Sequence, residues 1–225
     1  MTKSCFIFDW DGTLFDSVGS LVAAYQAAAK ALRLPDLPYE TIKQVIGQPA
    51  ESSILSLYSS SDLYSPHQLT KLFLEAFRNA YDDADQPGLI PGSKEALETI
   101  KQAGSLICIA SNKPKDCLQG EINRLELNDI ISHVHSISYY PAKPAGDMIT
   151  ALIHKIASPA RSFVMIGDHI NDIKAAKAAG IDSIGVTSGS ASLDYFKTCN
   201  PSPDLVLPSV ASLIELIKET ADMND

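Results

Sequence analysis

The apolar run Cys5-Phe6-Ile7-Phe8 ends abruptly in Asp9-Trp10-Asp11-Gly12. A short, unbroken apolar run of this kind suits a strand buried on both faces, as in a parallel sheet. In an extended backbone residues i and i+2 point the same way. Asp9 and Asp11 therefore start on one side of the strand end, with Trp10 turned away from them into packing. Gly12 then lets the chain turn at little steric cost. Two carboxylates at the end of a buried strand are costly unless a cation or a reaction needs them.

The texture changes after Asp16. Leu21, Val22, Tyr25, Ala28, Ala29 and Leu32 fall at helical spacing until Pro35 and Pro38 stop the pattern. Further helices are expected over 39–46 and 51–58. Ser65-Pro66-His67-Gln68 opens another: Ser65 caps, Pro66 fits the first turn and Gln68 completes a capping box. Residues 17–81 thus carry helical signals and no strand. The run Asp82-Asp83-Ala84-Asp85-Gln86-Pro87-Gly88 reads as a solvated linker, because it lacks the Gly and distal Glu of a calcium-binding EF-hand loop.

From Pro91 onward helices and strands alternate. Strands are expected at 106–110, 134–137, 163–166, 183–186 and 205–207, with helices between them and a last helix over 209–221. Alternation of this kind implies an α/β fold: a Rossmann-like parallel sheet with helices on both faces. The expected organisation is a core domain from 1–15 and 88–225, interrupted by a helical domain over 16–87. In such sheets ligands bind outside the carboxyl ends of the strands.

Composition narrows the partners. The formal net charge of −9 argues against a nucleic-acid backbone or an anionic membrane as the main partner. It still permits an anionic substrate, since a local cation overrides the global field. No segment reaches the roughly 18 to 20 apolar residues that span a membrane. The cysteines Cys5, Cys108, Cys117 and Cys199 form no CxxC pair. They read as core thiols of a reducing compartment, and a cytoplasmic protein is expected. His133 and His135 share a strand face, but no third metal ligand lies near them in sequence, so they read as structural.

Four polar features sit where strands end: Asp9/Asp11, Ser111/Asn112, Lys143, and Asp168/Asp172. Strand carboxyl ends converge on one edge, so all four can face one crevice. Carboxylates crowded there would repel one another, and a hard divalent cation, most simply Mg²⁺, resolves that. Lys143 and the Ser111 hydroxyl can then hold an anion bridging to the metal, which is a site for phosphoryl transfer.

This ordered set resembles the haloacid dehalogenase-like hydrolase superfamily. Asp9-Trp10-Asp11-Gly12-Thr13-Leu14 is similar to its first motif, Ser111 to the second, Lys143 to the third, and Gly167-Asp168 with Asp172 to the fourth. The helical insert resembles a C1-type cap, and the run from Phe8 to Ser17 is most similar to phosphoglycolate phosphatase-like members. The resemblance implies a nucleophilic Asp9 that forms an aspartyl-phosphate, and an Asp11 that protonates the leaving oxygen and then activates water. It implies Mg²⁺ held by the Asp9 carboxylate, the Asp11 carbonyl and Asp168, with Asp172 in support. Ser111, Lys143 and Asn112 would bind the phosphoryl group, and Thr13 would position Asp11. Asp16 and Ser17 would lie at a hinge. The core touches mainly the phosphoryl group, so the helical domain is expected to choose the substrate, with Gly47 and Gln48, in a loop that could reach the core on closure, as specificity residues.

Asp11 discriminates within the superfamily. A proton donor suits an alkoxide leaving group rather than a halide, so a phosphatase acting on a small phosphorylated metabolite is expected over a dehalogenase. A phosphosugar mutase, a pyrophosphatase and a binding or regulatory protein without turnover are the alternatives. A monomer or homodimer is expected. Two positions depart from the family pattern: Gly146 stands where relatives often carry proline, and His169 where they often carry Ser or Thr. His169 is read as the start of a helix.

Overall fold

β1 (Cys5–Phe8) is the strand beside which the sheet of the computed structural model is laid. The structure describes residues 4–58, 63–82, 86–156 and 162–222, with side chains to residue 218. β2 (Leu106–Ser111) sets Cys108 against Ile7 on one side, and β4 (Phe163–Gly167) sets Met165 against it on the other. β3 (His133–Ser136), β5 (Asp182–Val186) and β6 (Leu205–Leu207) complete the order β3-β2-β1-β4-β5-β6, with every pairing parallel. The chain reverses its direction of travel across the sheet between β1 and β4. A crevice opens at such a switch point, outside the strand ends.

The chain divides into two units, Met1–Asp16 with Leu89–Asp225, and Ser17–Gly88. The second holds α1 (Val18–Ala31), α2 (Tyr39–Lys43), α3 (Ala50–Tyr58) and α4 (Pro66–Asp82). The first holds, besides the sheet, α5 (Ser93–Gln102), α6 (Lys115–Arg124), α7 (Asp147–Ile156), α8 (Ile170–Ala178), α9 (Leu193–Thr198) and α10 (Leu213–Asp222).

Strand alternation distributes the sheet's side chains between two layers. Phe8, Ile107, Ile109 and Ile166 pack with Leu97, Ile100, Leu118 and Ile122 of α5 and α6. Cys5, Ile7, Cys108, Ala110 and Met165 pack with Met148, Leu152, Ala175 and Ala176 of α7 and α8. Helices on both faces explain why β1 and β2 read as unbroken apolar runs. Each fully buried Ile, Leu or Phe contributes about 1.5–3 kcal/mol.

In the helical unit the Phe73 ring lies 5.3 Å, centroid to centroid, from the ring of Tyr25 and 5.3 Å from that of Tyr58. At the start of α4 the Gln68 N–H donates to Ser65 Oγ at 3.4 Å and the Ser65 N–H donates to Gln68 Oε1 at 3.2 Å, the reciprocal bonds of a capping box. Among the described residues no helix is long and apolar enough to cross a membrane.

Element ends differ from the sequence expectation in physically simple ways. α9 lies in a segment where no helix is expected, because Phe196 alone in it is buried and one apolar contact gives no periodicity. The last helix begins as a 3₁₀ turn, Val210–Ser212, before α10. Asp83, Ala84 and Asp85 of the acidic linker, and the expected end of α7 at Ala157, lie outside the described residues. His135 is buried in packing: its Nδ1 lies 3.0 Å from the Met148 carbonyl and its ring stacks on Tyr140.

Candidate active site

Each strand of the sheet's centre delivers a polar residue at its carboxyl end. Asp9 follows β1 directly, its N–H donating to the Ile166 carbonyl at 2.8 Å, so β4 holds the backbone at the first acid. Asp168 follows β4, and Asp172 sits in the first turn of α8. Carboxylate oxygens of Asp9, Asp168 and Asp172 all lie within 4.8 Å of one another, and all three residues are buried. Lys143, only 1% exposed, places Nζ 2.6 Å from Asp9 Oδ1 and 2.6 Å from Asp172 Oδ1.

Three carboxylates against one ammonium leave an excess of buried negative charge. Burial raises the Asp9 carboxyl well above its ordinary range; Lys143 pulls against this, and Asp172 and Asp168 add to it. Burial and Asp172 push Asp168 up to about 6. Burial works to lower the Lys143 ammonium, but Asp172 and Asp9 outweigh it, and Lys143 is held charged. Hard oxygen donors with surplus charge form a donor set that fits a divalent cation.

The cluster is closely supported. Thr13 Oγ1 donates to Asp168 Oδ1 at 3.1 Å, and the Ser190 N–H donates to Asp168 Oδ2 at 2.6 Å. Ser188 Oγ donates to the Gly12 carbonyl at 3.0 Å. Glycines give these acids their room. Gly12 has φ +80°, and a Cβ there would stand 2.6 Å from Asp168 Oδ2. A side chain at Gly167 would collide with Asp172, and one at Gly189 with Asp168. The Ser188-Gly189-Ser190 turn was not anticipated; its signal is a run of small polar residues directly after β5, at the same sheet edge.

Asp172 has two tasks. Its Oδ2 accepts from the His169 N–H at 3.0 Å, while Oδ1 meets Lys143. His169 Nδ1 accepts from the Asn171 N–H at 3.1 Å, so the two residues form a capping box on α8. Asn112 pairs both ends of its amide with the backbone of Lys143: Oδ1 accepts from the Lys143 N–H at 2.8 Å, and Nδ2 donates to the Lys143 carbonyl at 3.0 Å. These bonds make Asn112 a support for Lys143. Ser111 Oγ accepts from the Lys113 N–H at 3.2 Å.

Asp11 stands apart from the three acids. β1 ends at Phe8, so the strict alternation expected to carry Asp9 and Asp11 on one side does not persist, and the Asp11 carboxylate meets a different lysine. Lys113 Nζ lies 2.9 Å from Asp11 Oδ1 and 2.8 Å from Glu121 Oε1. Trp10 Nε1 donates to Glu121 Oε2 at 2.7 Å, and the Trp10 ring stacks on Phe15. Burial raises Glu121 against the pull of Lys113, and Asp11 adds to the rise. Sequence reasoning assigned Lys113 and Glu121 no role. Glu121 lies in the apolar stripe of α6 between Leu118 and Ile122, and an acid in such a stripe is the one signal that marks it.

Gly47 and Gln48 belong to the helical unit, where Gly47 turns with φ +92° and Gln48 Nε2 donates to the Gln44 carbonyl at 3.3 Å.

Residues 6–186 match the haloacid dehalogenase-like hydrolase family. The chain is 30% identical over 221 residues to the phosphoglycolate phosphatase of Vibrio cholerae, covering 95% of this chain and 96% of that protein. It is 32% identical over 221 residues to the phosphoglycolate phosphatase of Vibrio parahaemolyticus, with 95% and 96% covered. A hydrolase from Pseudomonas syringae of solved structure superposes with a TM-score of 0.82 at 28% identity, over 96% of this chain and 99% of that one.

Proposed function

The chain belongs to the haloacid dehalogenase-like hydrolase family, and on that premise we propose that it is a Mg²⁺-dependent phosphatase of a small phosphomonoester. Asp9, Asp168 and Asp172 would hold the ion, with the Asp11 carbonyl. When bound, Mg²⁺ supplies positive charge that offsets the phosphoryl oxygens and the clustered acids.

The chain's own residues carry the steps. Asp9 attacks phosphorus, the ester P–O bond breaks, and the departing alkoxide takes a proton from Asp11. The phosphoryl group now sits on Asp9. Asp11, deprotonated by the first step, takes a proton from water. The hydroxide attacks phosphorus, the Asp9–phosphorus bond breaks, and inorganic phosphate leaves. Lys143 orients Asp9 and Asp172 and adds a fixed positive charge. Ser111, whose oxygen accepts from the Lys113 N–H, donates a hydrogen bond from its hydroxyl to a phosphoryl oxygen. Asn112 and Thr13 hold Lys143 and Asp168 in place. Substrate choice is assigned to the helical unit, because the core residues act mainly on the phosphoryl group, with Gly47 and Gln48 as its specificity residues.

One observation carries this reading: three buried carboxylates within 4.8 Å of one another, at the sheet edge where the strands end. The test is phosphate release from p-nitrophenyl phosphate and a panel of phosphorylated metabolites, phosphoglycolate first because relatives bear its name. Activity should require Mg²⁺ and vanish with a chelator. Asp9→Asn should lower turnover by about 10³-fold or more and abolish the trapped phosphoenzyme. A folded Asp9→Asn protein with wild-type turnover overturns the mechanism.

A further inference from the structure

The Trp10, Lys113 and Glu121 side chains close a ring around Asp11 that the three-acid cluster does not include. Starting at Asp11 Oδ1, an ion pair of 2.9 Å reaches Lys113, one of 2.8 Å reaches Glu121, and a hydrogen bond of 2.7 Å returns to Trp10, the residue before Asp11. Lys113 Nζ also lies 5.3 Å from the Phe15 ring centroid, and Phe15 is tied to the same turn by the Gly12 N–H donating to its carbonyl at 2.9 Å. Lys113 and Glu121 are buried, and Asp11 is the most open of the three, with 15% of its side chain exposed.

A buried ammonium between two carboxylates is a poor way to hold a fold together. Desolvation offsets most of the Coulombic gain, and apolar side chains of similar volume often serve as well or better. What such a ring does supply is geometry. Asp11 is a short side chain on a turn, and its carboxyl must meet a leaving oxygen in one orientation. The ion pair fixes the carboxyl, Glu121 fixes the ammonium, and the indole fixes Glu121. From this arrangement we infer that Lys113 and Glu121 are positioning residues for proton transfer by Asp11, with Trp10 as their anchor. The inference rests on the phosphatase reading above, because it presupposes that Asp11 gives a proton to the leaving group.

Leaving groups separate positioning from mere structural support. An alkyl ester leaves as a strongly basic alkoxide and needs Asp11; p-nitrophenolate leaves with little help. The experiment compares kcat/KM for phosphoglycolate, or the best alkyl ester of the panel, with that for p-nitrophenyl phosphate. The proteins are the wild type, Asp11→Asn, Lys113→Met, Lys113→Arg and the double variant Lys113→Met/Glu121→Gln. The double variant removes the buried acid that Lys113→Met leaves uncompensated, so a folded protein lacking the ring can be assayed.

Lys113→Met and the double variant should lose about 10- to 100-fold on the alkyl ester and less than about threefold on p-nitrophenyl phosphate. Asp11→Asn should show the same selectivity to a greater degree, and Lys113→Arg should recover part of the alkyl activity. Equal losses on both substrates in the double variant overturn the inference while the phosphatase reading stands. A wild type without Mg²⁺-dependent turnover, or an Asp11→Asn protein without the selectivity, overturns the phosphatase reading and the inference with it.

Discussion

The α/β unit encloses Lys143, Lys113, Asp9, Asp168, Asp172 and Glu121, whereas among the described residues the helical unit encloses no charged side chain. Its interior is Tyr25, Tyr58, Phe73, Ile42, Ile54 and small residues of α1. Both units form cores from apolar stripes, so the charges are not a by-product of folding. A buried charge survives only where partners offset its desolvation, and the α/β unit supplies those partners at one sheet edge and at α6. Buried charge is thus confined to the α/β unit, while the interior of the helical unit is mainly apolar and aromatic among the described residues.

Lys143→Met should break that contrast most severely. Asp9 and Asp172 would then face each other, with Asp168, without an ammonium between them. Loss of one partner of a buried charge pair costs about 3–5 kcal/mol. The expected result is a protein that unfolds at much lower denaturant concentration, regains part of the loss when Mg²⁺ is added, and has activity about 10³-fold lower or less. A variant of unchanged stability and activity would show that the charges at the sheet edge do not depend on one another.

The same contrast accounts for what the sequence made legible. Asp9, Ser111 and Asp168 lie at or just beyond the end of an apolar strand, Lys143 in the loop after β3 and Asp172 in the first turn of the helix after β4, and parallel pairing carries every such position to one edge. Local pattern and one rule of α/β topology therefore suffice to bring them together. The ring around Asp11 is of another kind. Lys113 meets Asp11 across 102 positions, and Trp10 meets Glu121 across 111, with no strand end to mark Glu121. Its pairing depends on how α6 lies against the sheet, which no periodicity specifies. Asp11 itself was expected on the same side as Asp9, but β1 ends at Phe8, before either acid, and the Asp11 carboxylate meets Lys113. The helix α9 escapes notice for a related reason, having only Phe196 to bury.

Phe73→Ala probes the other side of the contrast. Phe73 is fully buried against Tyr25 and Tyr58. Removing a buried phenyl ring costs about 3–5 kcal/mol, partly from lost transfer free energy and partly from the cavity left behind. Urea unfolding should report a loss in that range without the Mg²⁺-dependent recovery expected for Lys143→Met. Recovery by Mg²⁺ of the same size in both variants would dissolve the distinction between a packing core and a charge-holding edge.

Tyr58→Phe should have the smallest effect and makes the sharpest test. The Tyr58 ring is 1% exposed, and its hydroxyl has no hydrogen-bond partner among the described residues. Burial raises the phenol to about 12, with Asp36 adding to the rise. An unpaired hydroxyl loses its water on folding and gains no bond in return, so deleting it removes a penalty while keeping the ring. The expected change in unfolding free energy lies between no change and a gain of about 1 kcal/mol. At the sheet edge the opposite holds, since Lys143, Asp168 and Asp172 each have partners that their removal would strand. A loss of 1 kcal/mol or more in Tyr58→Phe would mean that the hydroxyl is paired in solution and that the helical unit, too, depends on a buried polar contact.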